Sequence, residues 1–186
     1  MRAGTTERVR HIFEELVKTD LHIVDARERF LTELAGKEDP EEKRKTIGKL
    51  YIDIFDEIAQ QYDDAKFLGQ GTIFSDVIES KGSKHASNIK SHHNVGGLPK
   101  HMTLQLVEPL RNLYKDEVRD LGRMVGLPEE LVKLHPFPGP GYAVRIRAEV
   151  TQKRLEQCKH ADTIILEEIE AAGYMDKLFQ IFPIMT

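Results

Sequence analysis

The chain has a single cysteine, Cys158, in 186 residues, which excludes an internal disulfide framework and a cysteine-based zinc site. Cys158 stands at helical spacing from Leu155 and Ile165, so it is expected to pack in a core rather than act as a nucleophile. Basic excess is also missing. With a net charge of -4 and 31% charged residues, no broad cationic face exists to neutralise nucleic-acid phosphates or an anionic membrane. The opening residues Met1-Arg2-Ala3-Gly4-Thr5 have no apolar run after the charge, so neither a secretion signal nor a membrane span is expected, and the cytoplasm follows. Internal repeats and low-complexity stretches are absent as well. What is present is 40% hydrophobic residues, enough for the core of one domain and part of another.

Hydrophobic periodicity organises the chain. Val9, Ile12, Phe13, Leu16 and Val17 predict an amphipathic helix, capped by Thr5 or Thr6 and ending near Thr19. Residues 21–25 predict a short strand. Asp39 followed by Pro40 and Glu42 predicts a helix start, and Ile47, Leu50, Tyr51, Ile54, Phe55 and Ile58 form that helix's apolar stripe. Residues 66–71 and 104–107 predict strands, each followed by a helix. Alternating strands and helices imply an α/β fold with a parallel sheet and flanking helices. Val118, Leu121, Gly122 and Val125 predict the buried face of a helix stopped by Gly126-Leu127-Pro128. Residues 142–148 alternate apolar and charged side chains as a half-exposed strand should, a helix is expected over about 151–172, and 181–184 predicts a last strand short of partners.

Two segments fit no regular element. Ile89-Lys90-Ser91-His92-His93-Asn94-Val95-Gly96-Gly97-Leu98-Pro99 gathers an ammonium, two imidazoles and paired glycines, a composition suited to receiving an anion such as phosphate. Its plainer alternative is a solvated connection, or an adventitious metal site. Adjacent His92 and His93 diverge in an extended chain and are poorly placed to chelate one zinc ion. His135-Pro136-Phe137-Pro138-Gly139-Pro140-Gly141 is stiffened by its prolines into a shaped surface or a structural linker. Sites in open parallel sheets form at the carboxyl ends of strands, where Gly69-Gln70-Gly71-Thr72 is expected. Asp76 just beyond is either a helix cap or a carboxylate near a phosphate-bound metal, whereas Glu79 is expected to be an exposed acid. Lys115-Asp116-Glu117 suits a helix's first turn whatever the function.

Those segments, with Gln70 through Ser80, Asp39 through Lys45, and Val107-Glu108-Pro109-Leu110 leading into Lys115 through Arg119, resemble the glutamine-hydrolysing GMP synthetase family over nearly the whole chain. One departure is Ser75, where bacterial members usually carry proline. The resemblance implies an incomplete adenine-nucleotide alpha-hydrolase-like domain over 1–141, followed by the first part of an α+β dimerisation domain over 142–186. It implies a carbon–nitrogen ligase in which ATP adenylates XMP and ammonia displaces AMP, with Mg²⁺ bridging phosphates. By the same resemblance Lys90, His92 and His93 are catalytic, in a loop that closes over the ATP phosphates. Gln70, Gly71, Thr72 and Lys90 hold ATP and its phosphates, while Lys115, Asp116, His135, Pro136, Phe137, Gly139 and Gly141 hold XMP. The family's Ser-Gly-Gly-Val-Asp-Ser phosphate loop and its amidotransferase cysteine do not occur here, so the chain alone is expected to be inactive. A homodimer, or a partner chain supplying the amidotransferase and phosphate loop, is expected. A non-catalytic nucleotide-binding or regulatory module, or one subunit of a split enzyme, is the alternative.

Overall fold

A computed structural model describes residues 2, 4–81, 104–137 and 139–186. The chain divides into two compact units, Met1–Lys43 with Pro140–Thr186, and Arg44–Gly139.

Helix α3 (Pro40–Ala59) starts in the first unit and continues into the second. Its start follows from Asp39, whose Oδ1 accepts from the backbone N–H of Glu41 at 3.0 Å and of Glu42 at 2.8 Å. Pro40 sits where a missing N–H costs nothing. Of the expected apolar stripe, Ile47 and Leu50 are buried, while Tyr51 and Phe55 are 46% and 52% exposed.

In the second unit, β1 (Phe67–Gly69) and β2 (Gln105–Val107) form a two-stranded parallel sheet in the register Phe67↔Gln105, Leu68↔Leu106, Gly69↔Val107. The expected parallel pairing is therefore observed, on strands shorter than the sequence predicts. Each strand runs through a loop into a helix: β1 into α4 (Phe74–Lys81), and β2 into α5 (Lys115–Met124). Tyr114 N donates to the Glu117 carboxylate at 2.7 Å, so the acid in the first turn of α5 satisfies a donor that the helix itself leaves open. Gly126, at φ 85, ends the helix while Leu127 N reaches back to Gly122 O at 2.9 Å. Gly122 is buried because a Cβ there would stand 3.4 Å from Leu127 Cδ1 and 3.5 Å from Val132 Cγ2 of α6 (Glu129–Val132). Val118 of the expected buried face is half-buried, whereas Leu121 and Val125 are corrected, at 36% and 69% exposed.

In the first unit, α1 (Thr5–Arg10) continues as a π-helix over His11–Val17 and stops at Lys18, which has φ 57. The strand expected over 21–25 does not form. Asp25 instead accepts from Arg27 N at 3.1 Å, a local turn into α2 (Arg27–Leu34) that competes with extended pairing. The strand expected over 142–148 is corrected too. Gly141 at φ 63 turns the chain into a 3-10 helix over Gly141–Arg145, and Tyr142, Ala143, Arg145 and Ile146 are all buried, so the apparent alternation is not a two-faced one. Only Ile146 pairs, in a parallel bridge with Met185, through Arg147 N to Met185 O at 2.8 Å and Met185 N to Arg145 O at 2.9 Å. The expected strand 181–184 is thus replaced by a single pairing one residue later. Helix α7 (Gln152–Ala171) matches its expectation, with Thr151 Oγ1 accepting from Arg154 N at 3.3 Å. Ile146 and Cys158 lie at the centre of this core, and burying Ile146 contributes roughly 1.5–3 kcal/mol. No helix among the described residues is long and apolar enough to cross a membrane.

Candidate functional site

The carboxyl ends of β1 and β2 lie side by side, because Gln70 N donates to Val107 O at 2.9 Å and extends the ladder one residue beyond the paired strands. Gln70 and Glu108 are therefore the next residues in register. The two loops stay together further on: Phe74 N donates to Leu113 O at 2.9 Å, and the Phe74 and Tyr114 rings meet edge to face with centroids 5.0 Å apart. Both loops thus deliver the starts of α4 and α5 to one edge of the sheet, the position where open parallel sheets bind ligands.

Three side chains at this edge hold buried polar atoms with no hydrogen-bond partner among the described residues: Gln70 Oε1, Thr72 Oγ1 and Glu108 Oε1. Thr72 is 5% exposed. The other Glu108 oxygen accepts from Arg111 in a charge-assisted hydrogen bond. Gly71 is exposed, and a Cβ added there would meet nothing within 4 Å, so a ligand can come close to the backbone. Asp76 accepts from Ile73 N at 3.0 Å and caps α4, the structural one of its two expected roles. Glu79's side chain lies outside the described residues.

Lys90, His92 and His93 lie outside the described residues. Lys115 opens α5 and is half-buried; burial first, and then the Arg119 charge, lower its pKa, with Asp116 opposing. The Asp116 side chain is 91% exposed and pairs with Arg119 at 3.4 Å. His135, Pro136 and Phe137 are half-buried beyond α6, whereas Gly139 is exposed, with nothing within 4 Å of an added Cβ. Gly141 belongs to the other compact unit. The structure therefore brings Gln70, Gly71 and Thr72 to one sheet edge and sets Lys115 at the start of the helix that follows β2. Among the described residues no group of three or more His, Cys, Asp or Glu gathers to hold a metal ion. Mg²⁺ does not fit a protein cage built from them, although a metal carried on nucleotide phosphates needs few protein ligands.

Sequence reasoning missed Glu108 and Arg111. The available signal was an acid placed directly after a parallel strand and before a proline. It also missed a polar network inside the first unit. Asp162 is 1% exposed and accepts from Arg2 Nε and Tyr142 Oη, each at 2.8 Å. Lys43 is fully buried and donates to Ile146 O and Ala148 O, each at 2.6 Å, while burial pushes its amine below the usual lysine range. Arg145 lies 3.9 Å over the Phe182 ring.

Burial, and then the hydrogen bond to Asp162, push the Tyr142 phenol well above its ordinary value. A raised folded-state pKa adds stability that is complete below the ordinary tyrosine range and lost as pH rises through the folded value. Titrating the five tyrosines by phenolate absorbance should therefore leave Tyr142 protonated until the chain unfolds. Tyr142→Phe should remove the late step that accompanies alkaline unfolding. A Tyr142 that ionises with the exposed tyrosines in the folded state would contradict this.

No protein-family model matches the chain. Curated proteins do. Over all of its residues the chain is 53% identical to the glutamine-hydrolysing GMP synthase of Nitratiruptor sp. and 53% identical to that of Halothermothrix orenii, spanning 36% of each. It is 50% identical to the glutamine-hydrolysing GMP synthase of Thermotoga maritima, spanning 37% of that protein. The resemblance expected from the sequence motifs thus holds across the whole chain, and the chain covers a little over a third of the length of these relatives.

Proposed function

We propose that the chain supplies the part of a GMP synthase that receives ATP and XMP for the ATP-dependent amination of XMP to GMP. The observation that carries this reading is the 53% identity, over every residue of the chain, to a segment of proteins that bear that name. The sheet edge supports it, with loop backbone open at Gly71 and the starts of α4 and α5 in contact through the Phe74 and Tyr114 rings. In this reading residues 1–141 are part of an adenine-nucleotide alpha-hydrolase-like domain, and residues 142–186 open a dimerisation domain that makes the assembled enzyme a homodimer.

The chemistry sets what the residues must do. The 2-oxygen of the xanthine base attacks the α-phosphorus of ATP, the α–β bridging bond breaks, and pyrophosphate leaves. Ammonia then attacks C2, the C–O bond to the adenylate breaks, and AMP departs with the oxygen while the base retains the new amine. Gln70, Gly71 and Thr72 receive the nucleotide. Lys90 neutralises charge that builds on the departing pyrophosphate, with His92 and His93 as further donors. Lys115 at the α5 start, together with Asp116, and the His135, Pro136, Phe137, Gly139 and Gly141 surface hold XMP. Mg²⁺, when bound, would supply charge neutralisation on the phosphates.

The test is direct. A ligand held at 100 times its dissociation constant stabilises a folded chain by about 2.7 kcal/mol. ATP and XMP should each raise the melting temperature of this chain in a saturable manner, while CTP should not. A melt that neither ligand moves would defeat the reading.

A further inference from the structure

The buried atoms at the sheet edge share one chemical demand. Gln70 Oε1, Thr72 Oγ1 and Glu108 Oε1 are enclosed and lack a donor from the described residues. Such atoms destabilise the free fold, and they are retained where a ligand satisfies them. Two of the three are acceptors, because one is an amide oxygen and the other belongs to the carboxylate that pairs with Arg111. Phosphate oxygens would stand against that carboxylate oxygen with like charge. A ribose diol favours both oxygens of an acid, and here Arg111 occupies one of them. An N–H edge of a nucleobase satisfies a single carboxylate oxygen and an amide oxygen in neighbouring register, as Gln70 and Glu108 are through the Gln70 N to Val107 O bond, with the Thr72 hydroxyl two residues further along the same loop.

We propose that Gln70, Thr72 and Glu108 form a reader of purine N–H donors, so that this edge selects the base of a nucleotide rather than cradling its phosphates. The proposal deepens the functional reading above and rests on it. Thr72 is its sharpest element: 5% exposed, with a hydroxyl that has no partner among the described residues. Replacing that hydroxyl with a methyl group of the same shape removes a penalty from the free fold and a contact from the complex. Stability and affinity should then move in opposite directions.

The experiment titrates this chain calorimetrically with adenosine, xanthosine, purine riboside and inorganic pyrophosphate, as wild type and as Thr72→Val and Glu108→Gln. Purine riboside keeps the ribose hydroxyls and has no N–H on its base. At least one of adenosine and xanthosine should bind roughly tenfold tighter than purine riboside, a margin of the size that one buried unpaired polar group imposes. Thr72→Val should abolish most of that margin, leave pyrophosphate binding unchanged, and raise the melting temperature by about 2–4 °C. Glu108→Gln should shrink the margin without changing pyrophosphate binding. Equal binding of purine riboside would assign the edge to ribose and overturn the proposal. So would a pyrophosphate affinity that falls with Thr72→Val, a lowered melting temperature, or no nucleoside binding to the folded chain. If ATP or XMP stabilises the chain while Thr72→Val leaves the nucleoside margin intact, this proposal fails and the functional reading stands. If neither nucleotide stabilises it, the functional reading fails.

Discussion

Asp162→Ala should destabilise the folded chain by about 3–5 kcal/mol, the cost of breaking a buried ion pair by removing one partner. Asp162 is 1% exposed, and its carboxylate accepts from Arg2 Nε at 2.8 Å, Arg2 Nη2 at 3.3 Å and Tyr142 Oη at 2.8 Å. Alanine would take from the guanidinium, whose side chain is 16% exposed, the carboxylate it pairs with here, and from the phenol the oxygen that accepts its hydrogen bond. A loss of that size is a large share of the roughly 5–15 kcal/mol that holds a typical domain together. Arg2 also donates to Ile181 O at 3.1 Å, so the same residue ties the amino-terminal segment to α7 and to the carboxyl-terminal segment. Urea midpoints should therefore fall strongly for Asp162→Ala and less for Asp162→Asn, which keeps one acceptor oxygen. Midpoints within error of wild type for Asp162→Ala would show that the network contributes nothing.

The second large effect concerns chemistry. In the Thermotoga maritima relative, with its matching segment replaced by this chain, Lys90→Ala should lower turnover by more than about tenfold while leaving the melting temperature close to unchanged. The reason is the place of the charge. Negative charge moves onto the departing pyrophosphate as the adenylate forms, and an ammonium that meets it there stabilises the transition state more than the ground state. Lys90→Arg should recover part of the loss, since the charge persists in a different geometry. A Lys90→Ala chimera that keeps full turnover would remove Lys90 from the chemistry, and a loss that follows unfolding would make it a structural residue.

The parts of the fold that local chemistry determines were legible in the sequence. Asp39 and Pro40 start α3, Thr151 starts α7, and glycine at 126 ends α5, because caps and positive φ act within a few residues. The parallel pairing of β1 and β2 was legible as an alternation of strand and helix. Residues 142–148 misled, since Arg145 and Arg147 look like the polar face of a strand, yet Arg145 is buried over Phe182 and only Arg147 is exposed. Lys43 lies in the charged first turn of α3, yet it is fully buried. Its burial depends on carbonyls more than 100 residues away, and no local pattern carries that information. The Asp162 pairing with Arg2 spans 160 positions and was invisible for the same reason. At the candidate site the glycine turn was legible, whereas Glu108 needed the register of the two strands to become the neighbour of Gln70.

Built into one of its relatives, this chain should perform their share of XMP amination. The most direct measurement is product formation by the chimera that carries it, supplied with XMP, ATP and ammonium. GMP and AMP should be released in equal amounts, with both products dependent on XMP. A chimera that melts cooperatively near the temperature of the parent enzyme, yet forms neither product, would contradict it.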